Sequence, residues 1–391
     1  MVQVASLFNQ LLHHFSRLEF ATLVKKHKAE RAAKGFDCWT QFVAMLFCQL
    51  GHAESLREIC GGLACCAGKA VHVGIRKAPN KSTLSYANQH RPAALYKDLF
   101  YTVLERFRSQ QQLGARKRIF RFKNKLLSLD STTISLCLTL FPWAQFRRTQ
   151  GGVKAHVLMD HDDYLPRYVL LTAARASDVR MAHQFDLPRG SIVAVDRGYT
   201  DFSLFARWIK AGVYFVTRPL QHMVYKVVES RQPPPTSNIL SDQIIRFTSK
   251  KAQQTFKHPL RRVVVWDEVQ EREIVLLTNH FDFGATTIAN IYKDRWEIEL
   301  FFKALKQNLK IKSFVGTTEN ALHIQIWTAL MALLLLKWLH HLSQARWSLS
   351  NLAYLLCMNL FTYRDLRDWL KDPLRTPPIV PEPQQLVLAL A

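Results

Sequence analysis

Leu126-Leu-Ser-Leu-Asp-Ser-Thr-Thr-Ile-Ser-Leu-Cys-Leu138 is the stretch on which the fold turns. It is rich in apolar and β-branched residues, follows the basic connector Arg116-Lys-Arg-Ile-Phe-Arg-Phe-Lys-Asn-Lys125, and reads as a strand. Further strand-like runs lie at Val153 to Met159, Arg167 to Thr172 and Ser191 to Val195. Short helical segments follow Ser177 and Asp201, and Val213-Tyr-Phe-Val-Thr217 resumes as a strand after the glycine stop at Gly212. Three strands, a helix, a strand, a helix and a strand, in that order, predict an α/β fold with a ribonuclease H-like core.

Upstream, residues 1 to about 118 read as an all-α N-terminal domain, because apolar positions recur at intervals of three and four. Ser55-Leu-Arg-Glu58 has capping-box spacing. A turn-like stretch, Arg76 to Lys81, leads into Ser82-Thr-Leu-Ser-Tyr-Ala-Asn-Gln-His-Arg91, where Ser82 or Thr83 is the expected cap. This pair of helices has the look of a helix-turn-helix with a polar, basic second member, and equally of a surface helix in a bundle. Downstream, residues of about 219–283 contain the proline run Pro233 to Pro235, a polar stretch and a hairpin-like pair, Arg261 to Trp266 and Glu273 to Leu277; they read as a mainly β insertion. Helical periodicity returns from Ala285 to Leu309 and from Glu319 to about Leu342. The expected domains are therefore 1–118, a catalytic domain at 119–345, and a C-terminal helical region at 346–391 with a proline-rich, irregular tail beyond Asp372.

The chain has 391 residues, 48% of them hydrophobic, which is enough for more than one core. Lys and Arg number 53 against 30 Asp and Glu, a formal charge of +23 spread along the chain rather than gathered in a tail. Such a balance calls for a polyanionic partner, and nucleic acid leads. Seven cysteines, an odd number sitting mostly in apolar stretches, argue against a disulfide framework and for a reducing cytoplasm. No secretory signal pattern opens the chain. Leu322 to Leu339 is apolar but carries His323, Gln325 and Lys337, and reads as a buried core helix rather than a membrane span.

The chemistry concentrates in Tyr292-Lys-Asp-Arg-Trp-Glu-Ile-Glu-Leu-Phe-Phe-Lys-Ala-Leu-Lys306. At ~100° per residue, Tyr292, Arg295, Glu299 and Lys306 share one helical stripe within roughly 60°. The stripe borders an apolar sector, so Glu299 is expected to be held by the core and Glu297 to point away. An ordinary helix salt-bridge pattern explains this stripe alone. Asp130 follows Leu126 to Leu129, and Asp196 follows Ile192-Val-Ala-Val195, each a lone acid at the rim of an apolar strand. Either aspartate separately suits a turn or cap. Together with Glu299 they form a set of three carboxylates suited to two hard divalent cations.

These residues resemble the DDE transposases of the insertion-sequence-4 family, whose Y-R-E-K signature has spacings matched in full by Tyr292, Arg295, Glu299 and Lys306. The likeness extends to Leu129-Asp-Ser-Thr132, Gly151-Gly-Val-Lys-Ala-His156, Val195-Asp-Arg-Gly-Tyr199 and Tyr214-Phe-Val-Thr-Arg218, and the helical N-terminus is similar to an accessory domain of one branch. The resemblance implies that Asp130, Asp196 and Glu299 bind two Mg²⁺ ions, with Mn²⁺ able to substitute. Tyr292, Arg295 and Lys306 would grip phosphates at the transposon end. Trp296 would stack on an exposed base or stand in the core or groove wall. It further implies cut-and-paste excision through a DNA hairpin, acting on double-stranded DNA (terminal inverted repeats and target) as a homodimer in the synaptic complex, in a prokaryotic cytoplasm at the nucleoid. The competing readings are a ribonuclease H-like nuclease that cuts without joining, and a catalytically silent DNA-binding protein descended from a transposase.

Other signals carry less. Cys60-x4-Cys65-Cys66 lacks zinc spacing. His156 is expected to be a satisfied core or rim histidine, with approach to the active site as the alternative. Arg147-Arg148 with Gly151-Gly152 suits a basic turn or a backbone contact to DNA. Asp160, Asp162 and Asp163 lack the glycine and glutamate of a calcium loop.

Overall fold

The computed structural model describes residues 5–31, 33, 35–66, 73–110, 120–221, 223–235, 237–249, 254–308, 314–343 and 347–375. The first four residues of the basic connector, 116–119, and most of the proline-rich tail lie outside them. The chain forms two compact units, one of residues 1–107 and 324–391, the other of residues 108–323.

The first unit is helical: α1 (Leu7–Leu12), α2 (Arg17–Lys26), α3 (Cys38–Leu50), α4 (Leu56–Cys65), α5 (Lys81–His90) and α6 (Ala93–Ser109) are joined by C-terminal helices. All thirteen residues of α3 are buried, which its near-continuous apolar sequence allows. The serine half of the capping box forms, with Ser55 Oγ accepting from the Glu58 amide at 3.2 Å, while the Glu58 carboxylate accepts from the amide of Glu54, the residue before the cap, at 2.7 Å. Helix α5 differs from expectation. Its cap is Asn80 rather than Ser82 or Thr83, so it starts at Lys81, and Asn80 makes no side-chain capping bond. Its buried side is Leu84, Ala87 and Asn88, while Ser82, Ser85, Tyr86, Gln89 and His90 face outward.

The second unit is built on a ten-stranded sheet. Its strands are β1 (Leu126–Leu136), β2 (Gln145–Arg147), β3 (Gln150–Asp160), β4 (Leu165–Ala173), β5 (Ile192–Val195), β6 (Tyr214–Thr217), β7 (Tyr225–Arg231), β8 (Ile239–Phe247), β9 (Leu260–Asp267) and β10 (Arg272–Thr278). The path is β2-β3-β1-β5-β6-β10-β9-β8-β7, with β4 also on β3. Strand β1 is antiparallel to β3 and parallel to β5, and β5 is parallel to β6. That is the ribonuclease H-like arrangement the element order predicts. Strand β5 is buried along its whole length, as a central parallel strand must be.

Alternation on the strands sorts side chains between two faces. Leu127, Leu129, Val193, Val195 and Phe215 enter one core with Leu204, Phe205 and Trp208 of α8 (Phe202–Lys210), next to the short α7 (Asp178–Ala182). Leu126, Ile192, Ala194 and Val216 enter the other, beneath Ala285, Ile288 and Ile291 of α9 (Ala285–Asp294). Helix α10 (Glu297–Asn308) also packs against β1.

The insertion is mainly β, as expected, and it extends the same sheet: β10 pairs antiparallel with β6. Two of its strands, β7 and β8, escape the sequence pattern. Six of the seven residues of β7 are exposed, so no apolar alternation marks it, and a register shift between Ile239 and Ser241 breaks the period on β8. At the C-terminal end, α11 (Glu319–Leu342) is long and apolar and mostly buried in protein. The compact units divide within α11, whose residues from Ile324 on group with the helical unit and with α12 (Leu349–Asn359) and α13 (Leu366–Lys371). Backbone bonds from Leu7 N to Thr362 O and from Phe8 N to Leu360 O, at 3.1 and 2.8 Å, tie this unit's two chain segments together.

Candidate active site

Two aspartates meet because two parallel strands are in register. The β1–β5 ladder pairs Leu126 with Ile192 and Leu129 with Val195, so the next step sets Asp130 beside Asp196. Both lie an even number of residues from Leu126 and Ile192, on the face covered by α9. The β5–β6 ladder pairs Ala194 with Val216, and the same step places Arg218 beside Asp196. Asp130, Asp196 and Arg218 thus form one row where β5 and β6 end, the place where open α/β sheets present ligands. Asp130 itself is not a strand end. Strand β1 continues to Leu136, and it is the termination of β5 at Val195 that opens the space on its flank.

Three of the signature residues, Tyr292, Arg295 and Glu299, meet this row, though not from one helix as the periodicity suggests. Helix α9 stops at Asp294 and α10 begins at Glu297. Between them Trp296 N, Ile298 N and Glu299 N bond three residues back, at 3.2, 3.1 and 3.0 Å, tightening the backbone into a 3₁₀-like turn. Tyr292 and Arg295 sit before this junction and Glu299 after it. Arg295 Nη1 lies 3.1 Å from Asp130 Oδ2 and 3.6 Å from Glu299 Oε1, so one guanidinium touches both acids. Arg218 Nη2 is 3.0 Å from Asp196 Oδ1, and the Tyr292 hydroxyl donates to the same oxygen at 3.4 Å. Both guanidinium carbons lie near the Tyr292 ring, at 5.4 Å for Arg295 and 5.9 Å for Arg218.

Burial is unequal and corrects one expectation. The Glu299 side chain is 40% exposed, so it stands at the rim rather than in the core, while Arg295 is 7% exposed. Lys306 is half-buried on α10, and Trp296 is 59% exposed at the junction, which rules out a core role. The electrostatics follow. Burial pushes the Asp130 carboxyl up to about 7 against the Ser131 amide and Arg295, and the neighbouring Glu299 and Asp196 add to the rise. Burial also opposes the Asp196 carboxylate, but the Arg197 amide and Arg218 outweigh it and hold its pKa below the ordinary value. Tyr292 is raised by burial. The Nε atoms of Arg218 and Arg295 are buried without a hydrogen-bond partner, each a cost of about 1–3 kcal/mol.

Among the described residues no three His, Cys, Asp or Glu side chains converge as a ready metal-ligand set, because Arg295 lies between Asp130 and Glu299. The donor chemistry nonetheless suits hard divalent cations: three carboxylates, one of them destabilised by burial and, after that, by the other two, with no sulfur or imidazole among them. Arg218 is the residue that sequence reasoning quoted within a motif but gave no role. A basic residue directly after an apolar strand, at the height of Asp196, was the available signal.

Several of the discounted signals have ordinary structural partners. His156 pairs with Ser131 across the β1–β3 ladder and therefore lies on the opposite face from Asp130, fully buried, with Nε2 2.9 Å from Thr172 Oγ1. Asp160 and Asp162 bind Lys125 at 2.6 and 2.7 Å, and Asp163 binds Arg108 at 2.6 Å. At Gly152 a Cβ would stand 3.1 Å from the Ile134 carbonyl, so the pair Gly151-Gly152 serves close strand approach.

The transposase DDE domain family matches residues 121–335, and a domain of unknown function, DUF4372, matches residues 3–76. The chain is 31% identical over 293 residues to a protein named as a transposase, y4zB, of Sinorhizobium fredii (strain NBRC 101917 / NGR234), covering 74% of this chain and 80% of that one. It is 30% identical over 261 residues to a protein named as the transposase of insertion sequence element IS5377 of Geobacillus stearothermophilus, covering 66% of this chain and 67% of that one. Among solved structures, a piggyBac transposase synaptic complex with hairpin DNA aligns with 97% of this chain and 87% of that one, at 12% identity and a TM-score of 0.42. With the DDE domain spanning more than half of its length, this chain belongs to the DDE-domain transposases, metal-dependent enzymes that cleave and join DNA strands in DNA transposition.

Proposed function

We propose that Asp130, Asp196 and Glu299 are the metal-binding acids of this transposase and that two Mg²⁺ ions serve the reaction, with Mn²⁺ able to substitute. The observation that supports this most is the shared contact of Asp130 and Glu299 with one Arg295 nitrogen, beside an Asp196 placed next to Asp130 by strand register. Bound there, the cations would supply an activated water or 3′-hydroxyl and stabilisation of the leaving oxygen. The residues of this chain do the rest. Arg295 would hold a phosphate with a planar fork, whereas Lys306 would offer a mobile point charge. Tyr292 holds Asp196 by its hydroxyl, and Arg218 neutralises the same carboxylate from β6. Trp296 supplies an exposed aromatic face for an unpaired base.

The full match to the Y-R-E-K spacing supports placing the chain in the insertion-sequence-4 branch, with cut-and-paste excision through a hairpin. Its substrates in this reading are terminal inverted repeats and target DNA, bound by a homodimer at the nucleoid in the cytoplasm. The outward face of α5, with Ser85, Tyr86 and Gln89, supports groove reading of the ends by residues 1–118; in this reading the catalytic domain occupies 119–345, followed by a C-terminal helical region and irregular tail at 346–391.

The test is strand cleavage on an oligonucleotide transposon end. Asp130→Ala, Asp196→Ala and Glu299→Ala should each lower the Mg²⁺-dependent rate on the order of 10³-fold while leaving end binding largely intact. Glu297→Ala is the control and should cleave normally. A Glu299→Ala enzyme that still cleaves would sink the assignment.

A further inference from the structure

The four-residue turn between β3 and β4, His161 to Tyr164, carries a buried hydrogen-bonded chain that none of the proposed chemistry uses. Ser128 Oγ lies 2.6 Å from His161 Nε2, and His161 Nδ1 lies 2.5 Å from Asp294 Oδ2. The Tyr164 hydroxyl donates to both oxygens of Asp294, at 3.2 and 3.0 Å. Serine, histidine and aspartate in this order have the connectivity of a hydrolytic triad. Ser128, however, is fully buried in the middle of the sheet and has no path to a substrate. The chain must act on the protein itself.

What it joins is informative. Ser128 is two residues before Asp130 on the same face of β1. Asp294 directly precedes Arg295 and is the last residue of α9, where the helix dipole disfavours a carboxylate. An acid there is poor helix design and needs the partners that His161 and Tyr164 provide. The turn that supplies them is itself held hard. His161 N donates to the Leu126 carbonyl at 3.1 Å, Asp162 binds Lys125 at 2.7 Å, and Asp163 binds Arg108 at 2.6 Å. Tyr164 adopts a left-handed backbone, φ +53°, a strained state for a residue with a side chain. That backbone delivers its hydroxyl to Asp294.

We propose that Ser128, His161, Tyr164 and Asp294 form a positioning clamp that fixes the end of α9 to β1 and so sets the height of Arg295 over Asp130. His161 and Tyr164 are then positioning residues for strand cleavage and joining, acting through Arg295. The clamp explains why the helix breaks where it does: α9 is pinned at Asp294, and the tightened turn that follows redirects α10 so that Glu299 returns to the row of acids.

The inference rests on the reading that Arg295 serves the reacting DNA end, and one set of variants separates the two. Single-turnover cleavage of an oligonucleotide transposon end is measured in the full chain, well below each variant's melting temperature, for His161→Ala, Arg295→Ala and the double variant. A displacement of the catalytic grip by an ångström should make His161→Ala slower by at least about 30-fold with end binding retained. In the Arg295→Ala background the same change should cost nothing further, because the clamp has lost what it positions. Tyr164→Phe keeps the ring volume and carries the same test with a smaller loss, should His161→Ala fail to fold. Losses that multiply in the double variants, or His161→Ala and Tyr164→Phe enzymes that cleave at the wild-type rate and merely melt earlier, would overturn the clamp. A wild-type rate in Arg295→Ala alone would refute the grip, and the clamp with it, and is read from a different variant.

Discussion

Two arginine–aspartate pairs, one within the sheet and one between the sheet and the helix junction above it, have opposite characters. Arg261 on β9 meets Asp242 on β8 through two parallel bonds, Nε at 2.8 Å and Nη2 at 2.6 Å, with both side chains at most 5% exposed. Its remaining nitrogen donates to the carbonyls of His280, Phe281 and Phe283. Every nitrogen of that guanidinium is used. Arg295 meets Asp130 through one bond at 3.1 Å, keeps a buried Nε without a partner, and leaves an aspartate pushed up to about 7 by burial and by neighbouring acids. A closed pair serves the fold, and an open one is held by the fold for another purpose.

Breaking the closed pair should have the largest effect on stability. Arg261→Met leaves Asp242 as an unpaired buried charge and should cost about 3–5 kcal/mol in urea unfolding, while cleavage per folded molecule stays at the wild-type level. Arg295→Lys makes the complementary case: it keeps the charge and loses the fork, and end joining should slow roughly 10²-fold. Its melting temperature should move less than that of Arg261→Lys. Equal thermal losses in the two lysine variants would erase the distinction between the pairs.

A smaller effect is expected at Trp296. Its 59% exposure means that Trp296→Ala should leave stability within about 0.5 kcal/mol of wild type. Binding of an end with an unpaired base should weaken by about 1–3 kcal/mol, with a fully paired end unaffected. Unchanged affinity for both ends would remove Trp296 from the interface.

Acid should weaken each unit through a histidine of its own. Burial first, then Lys154, lowers the His156 pKa to about 4, with Asp178 opposing; burial, Arg106 and His13 lower that of His14 to about 4. A histidine depressed in the folded state favours folding above its unfolded pKa of 6.5, and that stability is lost as pH falls from 6.5 towards 4. The melting temperature of His156→Gln should therefore fall less steeply over this window than that of the wild type. A parallel profile would show that His156 is not protonated preferentially on unfolding.

The sequence carried the parallel core because its strands are short, apolar and bounded by clear stops, and it marked Asp130 and Asp196 as candidates because each stands alone after such a run. It did not carry the break in the signature helix. Apolar positions before and after Arg295 keep a helical period through the tightened turn, so Tyr292 and Glu299 read as one stripe although they belong to two helices. Strand register was equally silent, and with it the neighbour relation that brings Arg218 into the row with Asp196. The clamp was invisible for a related reason: Ser128, His161 and Asp294 are far apart in sequence and each is unremarkable alone. Relations between residues distant in sequence are the ones least apparent from local pattern.

The central claim is that Asp130 is kept where it is for chemistry and against stability. Asp130→Asn and Asp242→Asn, compared in one buffer at pH 8, test it most directly, by melting temperature in EDTA and by strand cleavage in Mg²⁺. Asp242→Asn should melt earlier and still cleave per folded molecule. Asp130→Asn relieves the buried, crowded charge, so it should melt no earlier than the wild type, and later if the crowding exceeds the single bond to Arg295, while cleavage disappears. An Asp130→Asn protein that melts earlier, as Asp242→Asn does, and continues to cleave would contradict the account.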